Sequence, residues 1–349
     1  IAKHSAELAR MGGTLSVATQ DRLWPDKDDP ARIAFARLSA GNGETYATPE
    51  LFAQVPAEYR LVEGIAWDEK TQRLFIGTVI EGRLAYRDPD GSWHEVPVGN
   101  PRGGLFGMAV DAPRRLLWIA TGSVEQTAVA GERMTGLIAI DLDTLKVVRR
   151  VPIAPGGAGA AGDLVIAAGG TVYVSNVVSG AIHRCKPGCA VLEDFLPAGT
   201  FPNPQGMAMS DDGKHLYIAD YVTGLWVADP VTGTKTPIAI REPMMLDGID
   251  GLMMDGYTLF AIQNGTRPLR VMRFVVSRSG DAIVSSQKWI AVPAGAGEPT
   301  LGVIRPPTGD LLYVGDGQWE RYGPGGVLKD GQPLRPTPIL VTGLADIVT

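Results

Sequence analysis

Short apolar segments alternate with short polar turns along most of this chain, and the alternation repeats. "EGIAWDEKTQRLFIGT" (63–78) aligns with "FGMAVDAPRRLLWIAT" (106–121), and "QGMAMSDDGKHLYIAD" (205–220) follows the same plan. Further copies begin at residues 162, 250 and 301, so the six starts are spaced 43 to 56 residues apart. Each copy predicts an apolar strand, a turn and a second strand rich in β-branched and aromatic residues.

Most copies continue with a third and a fourth short strand, such as "GLIAIDL" (136–142) and "KVVRRVPI" (146–153). Four antiparallel strands repeated at this period are typical of β-propeller blades. A helical repeat is disfavoured, because the segments are short and are bounded by Gly and Pro. The pattern therefore predicts an all-β fold, a six-bladed β-propeller.

The two ends of the chain carry further segments that read as strands. "ARIAFARL" (31–38) and "ELFAQV" (50–55) precede the first copy, and "PILVTG" (338–343) follows the last. We expect the N-terminal strands to complete the last blade, because that closes the ring without a free edge. A seven-bladed ring, using 342–348 and 14–20, is the alternative. Residues 1–30 are interpreted as an N-terminal extension and 31–349 as a single propeller domain.

The lengths of the connections predict which face of the ring binds ligands. The first and third turns of each repeat are short, and antiparallel alternation places both on one face. The second turns and the links between repeats are long and irregular, as in 122–135, 197–204 and 317–326. Binding sites usually lie on long loops that a rigid scaffold supports. We therefore expect the site on the face where each repeat begins.

Composition and charge narrow the class of partner. The net charge is −6 and the pI about 5.3, so no basic stripe offers a footprint for nucleic acid. No apolar run approaches the roughly 20 residues of a membrane span. The first residue is Ile1, which suggests removal of a segment such as a signal peptide. A small-molecule substrate is the expected partner.

Two cysteines flank a turn sequence in "HRCKPGCAV". Cys185 and Cys189 are predicted to form a disulfide across this turn; two free thiols are the alternative. A zinc half-site would need two more ligands, and no second Cys pair exists. A disulfide would favour a periplasmic or secreted protein.

Oxygen-bearing side chains occur at the repeat starts that should surround the central channel. Glu63, Gln205 and Asp250 occupy three of these six positions, and Asp163 follows the Gly at a fourth. Carboxylates that converge on one channel repel one another unless a cation lies between them, and oxygen ligands suit calcium. The alternative is that these groups cap backbone N–H groups or hold water.

The same motifs resemble the SMP-30/gluconolactonase (regucalcin-like) β-propeller family. "EGIAW", "GDLVIAAGGTVYVS", "QGMAMSDDGKHLYIAD" and "DGLMMDGYTLFAI" carry the resemblance in the family's order. It implies six blades, a divalent metal, usually calcium, and hydrolysis of lactones or other esters. Glu63 and Asp250 match the family's acidic ligands, while Gln205 and Gly162 each stand where the family usually has Asn.

A metal-dependent lactonase or esterase is therefore the expected function. Glu63, Gln205 and Asp250 would bind the metal, and Asp250 or Asp163 would accept a proton from water. The predicted pocket residues follow the second strands or stand at the rim: Asn176, Tyr221, Asn264, Trp319, Phe106 and Leu301. The last two could instead be rim packing. A non-catalytic binding propeller and a propeller enzyme with a non-hydrolytic reaction are the alternatives.

Overall fold

The computed structural model describes residues 1–154 and 159–344. In this part of the chain, 25 strands form six separate sheets, and the inner strands of the sheets contact one another around a closed ring. The prediction of an all-β, six-bladed propeller is confirmed, and the seven-bladed alternative is wrong. Residues 345–348 of the segment proposed for a seventh blade lie outside the described residues.

The first three blades are four-stranded antiparallel sheets, ordered as in the chain from the inner to the outer strand. Strand β1 (Glu50–Val55) precedes the first blade and is not part of it. The first blade contains β2 (Val62–Asp68), β3 (Arg73–Thr78), β4 (Leu84–Arg87) and β5 (Trp93–Val96). The second contains β6 (Gly104–Asp111), β7 (Leu116–Gly122), β8 (Gly136–Asp141) and β9 (Lys146–Pro152). The third contains β10 (Ala161–Ile166), β11 (Val172–Asn176), β12 (Ile182–Cys185) and β13 (Glu193–Leu196).

The fourth and fifth blades share one irregular segment. The fourth contains β14 (Pro204–Met209), β15 (Leu216–Asp220), β16 (Gly224–Ala228) and β17 (Lys235–Pro237). The fifth contains β18 (Ala239–Ile240), β19 (Ile249–Asp255), β20 (Thr258–Gln263), β21 (Arg270–Val276) and β22 (Ala282–Ala291). Strand β18 pairs in parallel with β22, so the segment 234–240 contributes one strand to each of two blades.

An N-terminal strand closes the ring. The sixth blade contains β23 (Gly302–Arg305), β24 (Asp310–Val314) and β25 (Thr337–Thr342), and β1 is its outermost strand. Strand β1 pairs with β25 in antiparallel register, with Leu51 opposite Leu340 and Val55 opposite Thr337. Pairing the two ends of the chain in one sheet leaves the ring with no open gap between its first and last blades.

The hydrophobic core lies between neighbouring blades. In one cluster Phe75 and Leu84 of the first blade pack with Leu117 and Ile119 of the second. In another, Leu74 of the first blade packs with Leu312 of the sixth, across the closure of the ring. Each blade therefore buries both faces, which explains why its inner strands are apolar at nearly every position.

The N-terminal region is helical, which corrects one prediction. It contains α1 (Ala2–Arg10), α2 (Val17–Leu23) and α3 (Pro30–Ser39), so 31–38 is a helix and not a strand. Asp29 caps α3 by accepting a hydrogen bond from the N–H of Ala31 at 2.7 Å, and Pro30 suits the first helical turn. Phe35 is the buried residue of α3 and packs against Trp24, at 5.6 Å between ring centroids. The division between residues 1–30 and 31–349 stays a prediction.

The disulfide is present between Cys185 and Cys189, whose Cα atoms are 5.4 Å apart. The predicted pairing is confirmed. None of the helices in the described residues combines the length and the apolar character that spanning a membrane requires.

Candidate functional site

Bulges at the starts of the inner strands turn the rim side chains toward the central channel. The pairing of β2 with β3 shifts register between Val62 and Gly64, that is, at Glu63. The same shift occurs in the third, fourth and fifth blades, where it brackets Gly162 and Asp163, Gln205, and Asp250 respectively. A bulge re-aims the side chain of the extra residue, and such bulges are common beside active sites.

The glycine after the rim residue allows the inner strands to approach closely. A Cβ on Gly64 would lie 2.1 Å from the carbonyl oxygen of Phe106, and one on Gly206 would lie 2.5 Å from that of Asp250. Any side chain at these positions would therefore force neighbouring blades apart. The "EG", "QG" and "DG" pairs of the sequence thus supply a polar group to the rim and a tight channel below it.

The rim encloses a cavity of about 280 Å³ at the channel mouth, close to the lower end of the usual size of small-molecule sites, roughly 300–1,000 Å³. Nine of its lining residues, Asp163 among them, were predicted as ligand, catalytic or pocket residues. The lining residues are Glu63, Phe106, Val124, Gly162, Asp163, Val177, Gln205, Tyr221, Asp250, Asn264, Glu298, Leu301 and Trp319.

Glu63 is buried at the rim and bound by an indole. Its Oε2 accepts a hydrogen bond from Nε1 of Trp319 at 2.8 Å, and the residue is 6% exposed. Burial raises the pKa of Glu63 well above its ordinary value, and the nearby Asp250 carboxylate raises the pKa further. The side chain is thus costly to ionise unless a cation is close.

Asp250 is held by a chain of hydrogen bonds from two neighbouring loops. Its Oδ2 accepts from Nδ2 of Asn264 at 2.7 Å, and the same nitrogen donates to the carbonyl oxygen of Pro299 at 3.0 Å. The hydroxyl of Tyr221 donates to Oδ1 of Asn264 at 2.9 Å. Burial raises the pKa of Asp250, and the hydrogen bond from Asn264 lowers it in part. Tyr221 and Asn264 therefore orient a carboxylate as well as lining the cavity.

Asp163 and Gln205 lie side by side in the third and fourth blades. Oδ2 of Asp163 accepts a hydrogen bond from the N–H of Met207 at 3.1 Å, and burial raises the pKa of Asp163 to about 7. Nε2 of Gln205 donates to Oδ1 of Asn203 at 2.5 Å. Because its nitrogen is bound in this way, Gln205 presents its amide oxygen as the available ligand atom.

Three carboxylates, of which Glu63 and Asp250 are buried and Asp163 is half-buried, thus face one small space without a positive partner. In the described residues, the charges that act on the pKa of Glu63, Asp163 and Asp250 all come from other carboxylates. Buried charges are normally paired with an opposite charge or coordinate a metal ion. No group of three or more His, Cys, Asp or Glu side chains within the described residues is arranged to hold a metal. The predicted ligand set has a different composition, two carboxylates and one amide, and these hard oxygen donors are the type that calcium prefers.

Among the predicted pocket residues, Asn176 is the one that the described part of the structure does not place in the cavity wall. Its side chain is buried, with Oδ1 accepting from the N–H of Ser179 at 3.0 Å and Nδ2 3.1 Å from Nε2 of His183. The Nδ1 of His183 in turn lies 2.8 Å from Asp194. These bonds direct the amide into the third blade, away from the channel.

Glu298 is an ionisable residue that lines the cavity and that the sequence analysis did not predict. It lies in the link between the fifth and sixth blades, three residues before the rim residue Leu301. Burial raises the pKa of Glu298, whereas Arg267 lowers it. The signal that could have revealed Glu298 was available, because links between repeats were expected on the binding face.

Comparisons of sequence and of structure give different results. No protein-family model matches the chain, and no curated protein matches it significantly. In structure it is similar to the calcium-binding protein regucalcin of Agrobacterium tumefaciens strain C58, with 16% identity, a TM-score of 0.57, and coverage of 84% of this chain and 94% of the other.

Two other solved structures have a comparable likeness. A gluconolactonase of Xanthomonas campestris shares 15% identity, with a TM-score of 0.57 and coverage of 86% of this chain and 97% of the other. Virginiamycin B lyase of Staphylococcus aureus shares 11%, with a TM-score of 0.56 and coverage of 77% and 82%. At such identities these likenesses establish the fold: the chain is a β-propeller of the architecture that gluconolactonase and regucalcin also adopt.

Proposed function

We propose that this propeller is a metal-dependent hydrolase that cleaves a lactone or ester bond. One observation carries the proposal: Glu63, Asp163 and Asp250 line a single small cavity, the first and last of them buried, and no cationic side chain among the described residues compensates them. The folds of a gluconolactonase and of a calcium-binding regucalcin support it as analogies.

The residues that would hold the metal are Glu63, Asp250 and Gln205. Their two carboxylates and one amide oxygen suit calcium, with water as the remaining ligands. A divalent cation bound there would supply Lewis-acid polarisation of the substrate carbonyl. Trp319 and Asn264 each donate a hydrogen bond to one carboxylate oxygen, which fixes the carboxylates in place before any ligand binds.

The proton acceptor for the attacking water would be Asp163 or Asp250. A metal ligand is the poorer base, because the cation lowers its pKa. Asp163 is outside the ligand set, and its raised pKa of about 7 lies in the range that favours general-base catalysis near neutral pH. The N–H of Met207 anchors one oxygen of Asp163, so the carboxylate has a fixed direction.

The apolar wall would bind the substrate's carbon skeleton and exclude water. Phe106 and Leu301 line the cavity and are both 6% exposed. They belong to the two blades that flank Glu63, where they would contact the apolar part of a substrate whose ester group lies at the carboxylates.

A non-catalytic binding propeller is the second candidate, favoured by the environment of Gly162. A Cβ on Gly162 would lie 2.7 Å from Cγ1 of Val177, so the space where another side chain could act is occupied by a methyl group. A non-hydrolytic enzyme is a further alternative, since the lyase of Staphylococcus aureus has a similar fold.

Elemental analysis combined with a panel of lactones and esters tests the proposal. We expect the wild-type protein to bind one divalent ion and to hydrolyse at least one panel member. Glu63→Gln and Asp250→Asn should lose most of the metal and about 100-fold in activity, while the exposed Glu69→Gln on the opposite face should lose neither. Unchanged metal content in both site variants would reject the ligand set. A wild-type protein without metal and without hydrolysis would support the binding propeller.

We also propose a location outside the cytoplasm. The Cys185–Cys189 disulfide supports it, because such bonds persist mainly in oxidising compartments.

A further inference from the structure

A second cavity adjoins the first on the same face of the ring. Its volume is about 670 Å³, and it lies between the N-terminal region, the β20–β21 loop of the fifth blade and the link from the fifth to the sixth blade. Its lining residues are Thr14, Leu15, Ser16, Thr19, Arg267, Pro268, Leu269, Val292, Pro293, Ala294, Gly295, Gly297, Glu298 and Glu320. Glu298 lines both cavities, so the two spaces meet at this residue.

The N-terminal wall of this cavity is fastened to the fifth blade. The N–H of Thr14 donates to the carbonyl oxygen of Arg267 at 2.6 Å, and Nη1 of Arg270 donates to the carbonyl oxygen of Gly12 at 3.1 Å. Arg270 is 2% exposed and is also bound by Oε1 of Gln263 at 2.7 Å. The segment before α2 is therefore a fixed wall of the second cavity.

Glu298 has a fixed backbone and an available carboxyl group. Its N–H donates to Oδ1 of Asp316 at 3.2 Å, and its carbonyl oxygen accepts from the N–H of Gly317 at 2.8 Å. In the part of the chain that the structure describes, no donor is within hydrogen-bond distance of its side-chain oxygens. The carboxylates of Glu63, Asp163 and Asp250 each accept a hydrogen bond from the protein. Glu298 is thus the carboxyl group of the site with the greatest freedom to exchange a proton with a ligand.

The two cavities differ in size and in chemical character. The first is small and combines carboxylates with Phe106 and Leu301. The second is larger and offers hydroxyl groups from Thr14, Ser16 and Thr19, with apolar contacts from the prolines. Such a pair of spaces suits a two-part substrate, with a compact acyl part in the first and a bulkier polar alcohol part in the second.

We propose that the second cavity binds the leaving alcohol of an ester substrate and that Glu298, at the boundary, is the catalytic acid that protonates this alcohol. This assignment rests on the proposed hydrolase function and narrows it to open-chain esters with a sizeable polar alcohol.

The proton balance assigns separate tasks to the carboxyl groups. Water adds to the carbonyl carbon and gives one proton to Asp163 or Asp250. The bond from this carbon to the alcohol oxygen then breaks, and the carboxylic acid of Glu298 transfers its proton to that oxygen. The products are the carboxylic acid and the free alcohol. Exchange with solvent returns the proton from the base and reprotonates Glu298.

The surroundings of Glu298 raise its pKa above the ordinary value of a glutamate. Burial raises the pKa of Glu298, Arg267 lowers it, and the carboxylates of Glu320 and Asp316 raise it. The titratable groups that share the first cavity with Glu298 from other elements include Glu63, Asp250 and Tyr221. The negative charge of Glu298 raises the pKa of each of these three groups.

Esters of one acid with different alcohols test the acid role. An alkoxide leaving group needs a proton, whereas 4-nitrophenolate leaves without one. We therefore expect Glu298→Gln to lower kcat for an alkyl ester by about 100-fold or more and for the 4-nitrophenyl ester by less than about 3-fold. Glu69→Gln, an exposed carboxylate on the opposite face, should change neither rate.

Substitution in the second cavity tests the alcohol subsite. Ala294 is exposed and lines this cavity, so Ala294→Trp should reduce the available volume with little effect on folding. We expect KM to rise for esters of bulky polyols and to stay constant for the methyl ester of the same acid. An equal loss of kcat on all esters for Glu298→Gln would overturn the assignment, even if the wild-type protein hydrolyses esters. So would a KM of Ala294→Trp that does not depend on the size of the alcohol. A wild-type protein that cleaves no ester would overturn the proposed function together with it.

Discussion

Strand β2 carries a buried carboxylate near each end, and only one of the two has a cationic partner. Asp68, on the face with short turns, is 1% exposed and receives two hydrogen bonds from Arg115, at 2.6 and 2.9 Å, and one from Thr71 at 2.7 Å. Glu63, at the channel mouth, is 6% exposed and receives one hydrogen bond from a neutral indole. One strand thus connects a neutralised carboxylate with an uncompensated one.

The pKa shifts of the two groups have opposite signs. Burial alone would raise the pKa of Asp68, but the hydrogen bonds from Arg115 and Thr71 outweigh burial and hold the pKa below its usual range. For Glu63, burial and the charge of Asp250 both raise the pKa. Asp68 therefore stabilises the folded protein when ionised, whereas Glu63 becomes favourable in its ionised form only with an added cation.

Removing the guanidinium group of Arg115, which pairs with Asp68, should produce the largest loss of stability. Arg115→Met leaves Asp68 buried without a positive partner, and we expect the free energy of unfolding to fall by about 3 kcal/mol. Chemical denaturation monitored by tryptophan fluorescence would measure the loss. Lys70→Met is the matched control, because it removes an exposed partner of Asp143 and should cost less than about 1 kcal/mol. Equal losses for both variants would contradict the contrast between the two ends.

The stability of the metal-free protein should fall as the pH rises. In the folded state the raised pKa of Asp163, about 7, and those of Glu63 and Asp250 keep protons bound that the unfolded chain releases near pH 4. The folded state binds more protons in this window, so stability is greatest below the unfolded pKa and declines through pH 7. We expect a decrease of about 2 kcal/mol between pH 5 and pH 8 in chelator.

A variant isolates this contribution from other titrating groups. Burial lowers the pKa of His183, which gives stability the opposite pH dependence. Unfolding of Asp163→Asn at the same two pH values cancels the His183 contribution by difference. A decline that is just as steep in Asp163→Asn would show that Asp163 is not a source of it.

Neutralising Glu63 should cause the smallest change in the free energy of unfolding. The change should be an increase, whereas Arg115→Met should cause a decrease. In chelator at pH 8 we expect Glu63→Gln to raise the free energy of unfolding by about 1 kcal/mol, because the cost of burying a charge disappears and the amide oxygen still accepts from Trp319. Asp68→Asn is the paired variant and should lower it. Thermal unfolding of both variants with and without calcium would measure the effects. A stabilisation of Glu63→Gln that persists in calcium would count against Glu63 as a ligand.

The repeats made most of the fold predictable, and the errors concern segments outside them. The six blades and the closing strand at 50–55 follow from local periodicity, which the structure preserves. Residues 31–38 form α3 because Asp29 and Pro30 start a helix there, a signal that the expected extra strand obscured. The parallel pairing of Ala239–Ile240 with the next blade had no local signal, since two residues carry no periodicity.

The candidate site was predictable to the extent that it depends on the same position in each blade. Glu63, Gln205 and Asp250 reach one cavity because equivalent positions in a ring must converge. Asn176 also occupies a position at the end of a strand, yet hydrogen bonds with Ser179 and His183 direct its side chain elsewhere. Such a choice between two polar environments depends on neighbours that the repeat does not specify.

The sequence by itself determined the repeated blades, the closure of the ring by an N-terminal strand and the set of rim residues, because each follows from hydrophobic periodicity and from turns a few residues long. It left a ring of six and a ring of seven blades as alternatives, and the structure decided for six. Only the tertiary structure decided which carboxylates have a cationic partner, where the N-terminal helices dock, and that Glu298 stands between two cavities. These properties depend on contacts between residues far apart in the chain, such as Thr14 with Arg267 and Glu63 with Trp319. Contacts of this kind are set by how the blades pack around the axis, which no local pattern encodes.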